Sequence, residues 1–153
     1  MHPEASEDMQ ICRTVATRAP VSEVFAYLAD FTSTTEWDPG TVTTTLVGGD
    51  GTVGSTYENV SRFLGRETRL TYVVEAYVAD SLIILRGEND TVIARDTMTF
   101  EPTHDGGTQV TYLADFTFKG LARVAAPFLA PAFKRLGDEA ERGLHQALDQ
   151  LAA

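Results

Sequence analysis

The chain has 153 residues, of which 43% are hydrophobic and 22% charged, which suits one soluble domain with one core. Its net charge of −10 repels a phosphate backbone and an anionic membrane, so nucleic acid is not expected as a partner and stable membrane insertion is not expected either. No apolar run reaches the roughly 20 residues that cross a bilayer. Cys12 is the only cysteine, and the acidic N-terminal stretch does not resemble a signal peptide, so the expected location is the cytoplasm.

The chain begins with a predicted flexible tail over residues 1–8, and residues 9–153 are predicted to form a single ligand-binding domain. Alternating side chains predict a strand over 10–19, and an apolar stripe at helical spacing predicts a short helix over 21–30. Trp37-Asp38-Pro39-Gly40 predicts a turn. Short turn segments then separate six predicted strands, which implies antiparallel hairpins near 41–47, 55–64, 66–78, 81–88, 91–101 and 108–118.

The last segment predicts a long helix from about Pro127 to Leu151, with its prolines in or near the first turn, where a helix donates no internal hydrogen bonds. Gly137 and Gly143 each weaken such a helix by about 1 kcal/mol relative to alanine. Either strong tertiary packing offsets this loss or the glycines make room for a close neighbour. The apolar stripe of this helix comprises Phe128, Leu129, Ala132, Phe133, Leu136, Ala140, Leu144, Ala147 and Leu151.

Alternation within the strands assigns a face to each side chain, because successive residues of a strand point to opposite sides of the sheet. One face carries nearly every charge and is expected to meet water, where glutamate and arginine can pair across strands. The other face is apolar and aromatic and is expected to meet the C-terminal helix. Its members are Tyr57, Asn59, Ser61, Phe63, Leu70, Tyr72, Val74, Ala76, Ile83, Leu85, Gly87, Ala94, Asp96, Met98, Phe100, Val110, Tyr112, Ala114 and Phe116.

Asp96 is the only carboxylic acid of this inward-facing set. A buried carboxylate is costly unless it is hydrogen-bonded or protonated. One interpretation makes Asp96 a general acid or base, or an anchor for a ligand hydroxyl, with help from the inward tyrosines or Asn59. The other interpretation has Asp96 bonding backbone groups near a strand end, or turning outward at a bulge.

A resemblance to the START-like superfamily, also called SRPBCC or helix-grip proteins, is carried by APVSEVFAYLADFTSTTEWDPG (19–40), VGSTYENVSRFLGRETRLTYVVEAY (53–77) and GGTQVTYLADFTFKGLARVAAPFLAP (106–131). The bacterial polyketide cyclase/dehydrase-like branch is the most similar, and the resemblance covers about Gln10 to Leu151. It implies an α+β helix-grip fold, in which a seven-stranded antiparallel sheet curls around the long C-terminal helix and short helices follow strand 1. It also implies a cavity between sheet and helix, with Trp37 near the mouth or floor of that cavity.

Three functions are compatible with this fold, because the superfamily includes cyclases, lipid carriers and hydrolases. The leading hypothesis is the binding of a small hydrophobic or aromatic molecule, polyketide-like or lipid-like, in the cavity. The alternative is a polyketide cyclase or dehydratase in which Asp96 and Tyr112 carry out acid/base chemistry. The third is an interaction module whose cavity is filled by side chains such as Phe100. The residues expected to contact a ligand are Trp37, Tyr57, Asn59, Ser61, Phe63, Tyr72, Val74, Leu85, Asp96, Met98, Tyr112, Phe116, Phe128, Ala132, Phe133 and Leu136.

Other kinds of site are not indicated by the sequence. The three histidines are widely separated, and no spacing of His, Cys and Asp matches a metal site. There is no nucleophile elbow, P-loop or dinucleotide fingerprint. No metal or cofactor is therefore expected, and the expected partner is a small hydrophobic ligand bound to a monomer or a homodimer.

Overall fold

The structure, a computed structural model, describes residues 8–153. Its elements in chain order are β1 (Asp8–Thr17), α1 (Val21–Ala29), a 3₁₀ turn (Phe31–Ser33), α2 (Thr34–Trp37), β2 (Thr41–Gly48), β3 (Thr56–Phe63), β4 (Arg66–Val78), β5 (Leu82–Glu88), β6 (Val92–Pro102), β7 (Thr108–Phe118), α3 (Ala122–Ala125), a second 3₁₀ turn (Ala126–Leu129) and α4 (Ala130–Ala152).

The strands form one seven-stranded sheet in the order β1-β7-β6-β5-β4-β3-β2, and all neighbours are antiparallel. Consecutive hairpins connect β2 to β7, and β1 pairs with β7 at the far edge. The long C-terminal helix lies against this sheet, so the predicted helix-grip architecture is confirmed. The first strand begins at Asp8, the last residue of the predicted tail, and ends at Thr17 rather than at Ala19. The rest of that tail, residues 1–7, lies outside the described residues.

The predicted division of the sheet into two faces is confirmed except at Ala76. Burial alternates along β4 to β7, and most inward positions of these strands are buried while most of their neighbours are not. The pairing of β4 with β5 shifts between Val74 and Ala76, so Tyr77 pairs with the buried Ile83 and Ala76 pairs with Ile84 of the outer face. The outer face carries ion pairs between strands. Arg95 on β6 lies 3.0 Å from Glu75 on β4, across the intervening strand β5, and Arg69 on β4 lies 3.6 Å from Glu58 on the neighbouring β3. These pairs keep the charges of the sheet in contact with water, where each pair contributes little to stability.

The predicted C-terminal helix is wrong at its start. Helix α4 begins at Ala130, with Pro131 in its first turn, and a separate 3₁₀ turn precedes it. Because a 3₁₀ turn has about 3.0 residues per turn instead of 3.6, the apolar stripe changes direction at this junction. The side chain of Phe128 is consequently 83% exposed and does not face the sheet as expected. Leu148, which the predicted stripe omitted, is fully buried.

Two glycines let α4 approach its neighbours closely. A Cβ added at Gly143 would collide with the carbonyl oxygen of Trp37, and one added at Gly137 would lie 2.7 Å from Cγ2 of Ile11. Real Cβ atoms do not tolerate such contacts in a close-packed interior. Of the two explanations for these glycines, the need for room is therefore the one that the structure supports.

Polar contacts fix the same helix along β1. The Arg13 guanidinium lies 2.8 Å from the Asp138 carboxylate and 3.3 Å from that of Glu141. Further along, the Thr17 hydroxyl donates to the carbonyl of Leu148 at 3.1 Å. These contacts hold α4 over the β1 edge. Within residues 8–153, no helix has the length and apolar character required to cross a bilayer.

Replacing Gly143 with alanine tests the close contact between α4 and Trp37. Helix propensity alone predicts a gain of about 1 kcal/mol. We expect the opposite, a loss of about 1–3 kcal/mol in the free energy of unfolding, because the added methyl group overpacks the contact. Denaturant unfolding measures this change. Gln146→Ala, at an exposed position of the same helix, is the matched control and is expected to change stability by less than about 0.5 kcal/mol. A more stable Gly143→Ala protein would contradict the described contact.

Candidate functional site

Asp96 lies near the middle of β6 with its side chain on the inner face of the sheet, where it is 5% exposed. Its neighbours across the strands are Leu85 on β5 and Ala114 on β7, and both are fully buried. The expectation that Asp96 turns outward at a bulge is therefore wrong. The pairing of β6 with both neighbours is regular at this position.

Two tyrosines lie on either side of Asp96 along the strands. The ring of Tyr72 on β4 lies over Gly87 on β5, where an added Cβ would come within 2.7 Å of the ring. Gly87 is the next inward residue of β5 after Leu85, the partner of Asp96. In the opposite direction, Tyr112 pairs with Met98, which is the next inward residue of β6. The three polar groups therefore follow one another across the inner face of the sheet.

The oxygens of these three side chains have no hydrogen-bond partner within the part of the chain that the structure describes. In that same part, every fully enclosed side-chain nitrogen or oxygen does have a partner. The Asp96, Tyr72 and Tyr112 oxygens must therefore border a space that a water-sized group can enter. A buried polar group without a partner is costly, so this cluster has unused capacity to bind a polar atom.

The environment keeps this cluster uncharged at neutral pH. Burial is the main cause that raises the pKa of Asp96 to about 8, and the negative charges of Asp38 and Asp115 contribute less to this increase. Burial also raises the pKa values of Tyr72 and Tyr112 well above 10.0, with Asp96 as the next cause. Each of the three groups therefore carries a proton that it can donate.

Asp38 is an acid of this region that the sequence analysis treated only as part of a turn. Its carboxylate accepts hydrogen bonds from the Gly40 backbone N–H and the Thr41 hydroxyl, both at 3.1 Å. Burial nevertheless raises the pKa of Asp38, and the nearby Glu139 on α4 adds to this increase. The sequence did contain an indication of this position, because Asp38 directly follows Trp37 and the resemblance implied that Trp37 lies beside the cavity.

Trp37 forms one wall beside the cluster. Its indole is almost completely buried, donates to the Ser33 hydroxyl at 3.2 Å, and meets the ring of Tyr112 edge-on at 5.6 Å between centroids. Its backbone carbonyl contacts α4 at Gly143. Trp37 thus links α4 to the polar cluster.

Several other expected ligand contacts are already engaged within the protein. The Asn59 amide donates to the Thr44 hydroxyl at 2.8 Å and accepts from the Ser61 hydroxyl at 2.7 Å. Tyr57 packs against Phe31 with ring centroids 5.7 Å apart. Core packing likewise encloses three apolar members of the expected set almost completely, namely Val74, Leu85 and Met98.

Aromatic rings fill the end of the interior nearest the start of α4. Phe133 is surrounded by Phe63, Phe116 and Phe118, with ring centroids 4.8, 5.0 and 5.7 Å away. The structure therefore brings together three of the expected ligand contacts, but it packs them against one another. This part of the interior has the filling that the interaction-module hypothesis requires.

A groove of about 750 Å³ lies outside this aromatic cluster, between the β2–β3 edge and α4. It contains three expected ligand contacts, Phe63, Ala132 and Leu136, but neither Asp96 nor the two tyrosines. Phe63 belongs to both the groove and the aromatic cluster. The groove and the aromatic cluster therefore adjoin at Phe63. Within residues 8–153, no group of His, Cys, Asp and Glu side chains could hold a metal ion.

Comparison with known proteins decides the family. The family model described as "Polyketide cyclase / dehydrase and lipid transport" matches residues 9–153. The chain belongs to this family. The predicted membership of the START-like superfamily and its polyketide cyclase branch is confirmed. No curated protein matches the chain.

Solved structures show the same fold at low sequence identity. The family member is similar to the ZhuI aromatase/cyclase from Streptomyces sp. R1128, with a TM-score of 0.77, 15% identity, and coverage of 92% of this chain and 93% of that one. A START superfamily protein from Mycobacterium smegmatis has a TM-score of 0.76 and 14% identity, with 93% and 98% covered. The protein TTHA0849 from Thermus thermophilus has a TM-score of 0.74 and 14% identity, with 92% and 96% covered.

The raised pKa of Asp96 predicts a pH-dependent stability that Asp96→Asn removes. The folded-state pKa of about 8 lies above the value of 3.8 that the group regains on unfolding. Between these pH values the unfolded chain binds fewer protons, so the free energy of unfolding of the parent falls as pH rises. We expect the stability of Asp96→Asn relative to the parent to increase from pH 4 to pH 8 by several kcal/mol, at about 1.4 kcal/mol per pKa unit, and then to level off.

Denaturant unfolding at a series of pH values measures this difference. Asp50→Asn is the control, because hydrogen bonds from Thr52 lower the pKa of Asp50 and its carboxylate therefore stabilises the fold above the unfolded-state pKa. Its replacement should lower stability at neutral pH, which is the opposite sign. Parallel pH curves for Asp96→Asn and the parent would contradict the buried, neutral carboxyl group.

Proposed function

We propose that this family member binds a small, mostly apolar or aromatic molecule between the sheet and α4, with a polar group of the ligand at Asp96, Tyr72 and Tyr112. The observation that carries the proposal is the presence of these three inward polar side chains, whose oxygens have no hydrogen-bond partner among the described residues. Protein interiors rarely leave such groups unsatisfied without a reason.

The chemistry of the cluster favours an uncharged oxygen on the ligand. Three groups that each carry a proton can donate to a carbonyl or hydroxyl oxygen. The apolar surroundings, including the edge-on rings of Trp37 and Tyr112, suit the apolar body of such a molecule. The family description, which names polyketide cyclases, dehydrases and lipid transport, agrees with polyketide-like and lipid-like molecules as the ligand class.

A second candidate function is catalysis of a polyketide cyclisation or dehydration. The observation that favours it is the Asp96 pKa of about 8, which lies near neutral pH. A group with such a pKa can both give and take a proton under physiological conditions, and general acid/base catalysis has this requirement. Tyr112, which lies one inward position from Asp96 along the strands, is the proposed partner for proton transfer.

Location and assembly are part of the same proposal. We propose a cytoplasmic protein that works as a monomer or homodimer and does not bind nucleic acid. The net charge of −10 supports this view, because it disfavours binding to polyanions.

Native mass spectrometry of the freshly purified protein, compared with its mass after denaturation, tests the binding proposal. We expect a bound small molecule that denaturation releases. Tyr112→Phe keeps the ring and removes one oxygen, so its affinity for that molecule should fall about fivefold to tenfold. Tyr27→Phe is the matched control, because the Tyr27 hydroxyl donates to Glu36 on an exposed part of the surface. Equal occupancy in both variants, or a protein mass with no ligand, would favour the interaction module.

Asp96→Asn separates a binder from a catalyst. If the protein is a cyclase or dehydratase, the variant should retain ligand binding and lose at least about 100-fold in turnover of a linear poly-ketone, because it can no longer transfer a proton. Product analysis by chromatography measures turnover, and Asp90→Asn in the exposed β5–β6 turn is the control. The same turnover in Asp96→Asn and the parent would rule out acid/base catalysis by this residue.

A further inference from the structure

The groove at the β2–β3 edge has a charge arrangement that the proposed interior site does not use. Two guanidinium groups, Arg62 and Arg135, are the cations of its lining, and Glu139 is its acid. The Arg62 side chain is 60% exposed and lies 3.2 Å from Glu67. The Arg135 side chain is exposed and makes no hydrogen bond or ion pair with another residue in 8–153. This arginine is therefore available to a ligand.

The two arginines occupy opposite walls of the groove. The backbone N–H of Arg62 on β3 donates to the Gly40 carbonyl at 2.8 Å. A Cβ added at Gly40 would lie 3.1 Å from Cδ1 of Leu136, the residue that follows Arg135 on α4. Gly40 thus lies between the walls and brings them close together. Both arginines line the same groove, so an anionic group bound there has a cationic residue on each wall.

The lining between these cations is largely apolar. Phe63, Leu64, Pro131 and Leu136 contribute to it, and the Leu64 side chain is 64% exposed. Burying this surface against an apolar chain gains roughly 25 cal/mol for each Å² removed from water. The groove therefore offers apolar contact and positive charge to the same molecule.

The ionisable groups between the groove and the interior are acids, unlike the exposed arginines of the groove. Glu139 lies at the groove beside Asp38, and the charge of Asp38 in turn raises the pKa of Asp96. An anion placed in the interior would lose its hydration shell and would be repelled by these acids, and both effects disfavour its binding there. An anion beside the exposed arginines remains partly hydrated and attracted.

We infer that the groove is a second subsite, which takes the anionic end of an amphiphilic ligand while its apolar or uncharged end enters toward Asp96. This inference rests on the proposed binding function and adds to it a ligand class and an orientation. The ligand class is an apolar or aromatic body that ends in a carboxylate or a phosphate monoester. Arg62 and Arg135 select the anionic end, and the interior acids exclude it.

Binding of three probes with the same chain and different head groups tests this inference, namely dodecanoate, dodecanol and dodecylammonium. Trp37 is the only tryptophan and lies edge-on to Tyr112, so its fluorescence reports on occupancy of the interior. We expect dodecanoate to bind more tightly than dodecanol. Arg135→Gln and Arg62→Gln should each weaken dodecanoate binding about threefold to fivefold, which is the scale of exposed ion pairs, and should leave dodecanol binding unchanged.

Arg18→Gln is the control of equal charge change. Arg18 follows Thr17, which bonds to Leu148, and Leu148 lies about 20 Å along α4 from Arg135 at 1.5 Å per residue. This variant should bind all probes as the parent does. Dodecyl phosphate distinguishes the two anion sources. Tighter binding than dodecanoate, with the same sensitivity to Arg135→Gln, would support the inference and assign a phosphate.

Different failures have different meanings. If dodecanol binds and dodecanoate has no advantage, or if Arg135→Gln behaves like Arg18→Gln, the groove subsite is wrong and the interior site stands. Tightest binding of dodecylammonium would also overturn the inference, because the acids and not the arginines would then control selection. If no probe changes Trp37 fluorescence or displaces a co-purified molecule, the proposed binding function itself fails, and the inference fails with it.

Discussion

The close approach of α4 to the Trp37 backbone is the constraint on which the rest of the structure depends. It is possible only because residue 143 has no side chain, and it places the following residue, Leu144, in the core. The same tryptophan meets Tyr112 with its ring edge. One contact therefore fixes both the position of the helix over the sheet and one wall of the polar cluster. A helix that lay further from Trp37 would leave that cluster open to water.

The buried acid shows a compromise between stability and function. A protein selected for stability alone would place an apolar residue opposite Ala114, because a buried carboxyl group without a partner is unfavourable. Asp96 instead lies between two phenols, and its burial keeps it protonated. Features that reduce stability at one position are typical of functional sites. The neighbouring acid, Asp38, has its own hydrogen-bond donors and therefore remains the more easily ionised member of the pair.

Local patterns predicted the sheet and the inward direction of Asp96, because strand periodicity and the short turns fix the face of each residue. They did not predict that Asp38 is a buried acid near the polar cluster, since its burial depends on the contact between Trp37 and a helix at the other end of the chain. The groove was not predicted either, because Arg62 and Arg135 lie far apart in the chain and line it together only where β3 meets α4. The direction of Phe128 was wrong because a helical repeat was continued through a 3₁₀ turn, where the repeat changes. Tertiary contacts thus decide which of the polar residues meet.

The central claim is that a ligand oxygen meets the protonated carboxyl group of Asp96. Its most direct test is a carbon-13 NMR titration of the Asp96 carboxyl group with and without the bound molecule. The ligand-free protein should titrate near the pKa of about 8. A ligand oxygen that accepts a hydrogen bond stabilises the neutral form, so the transition should move to higher pH when the ligand is bound. A transition that ligand binding does not move, or one near the ordinary aspartate value, would contradict the account.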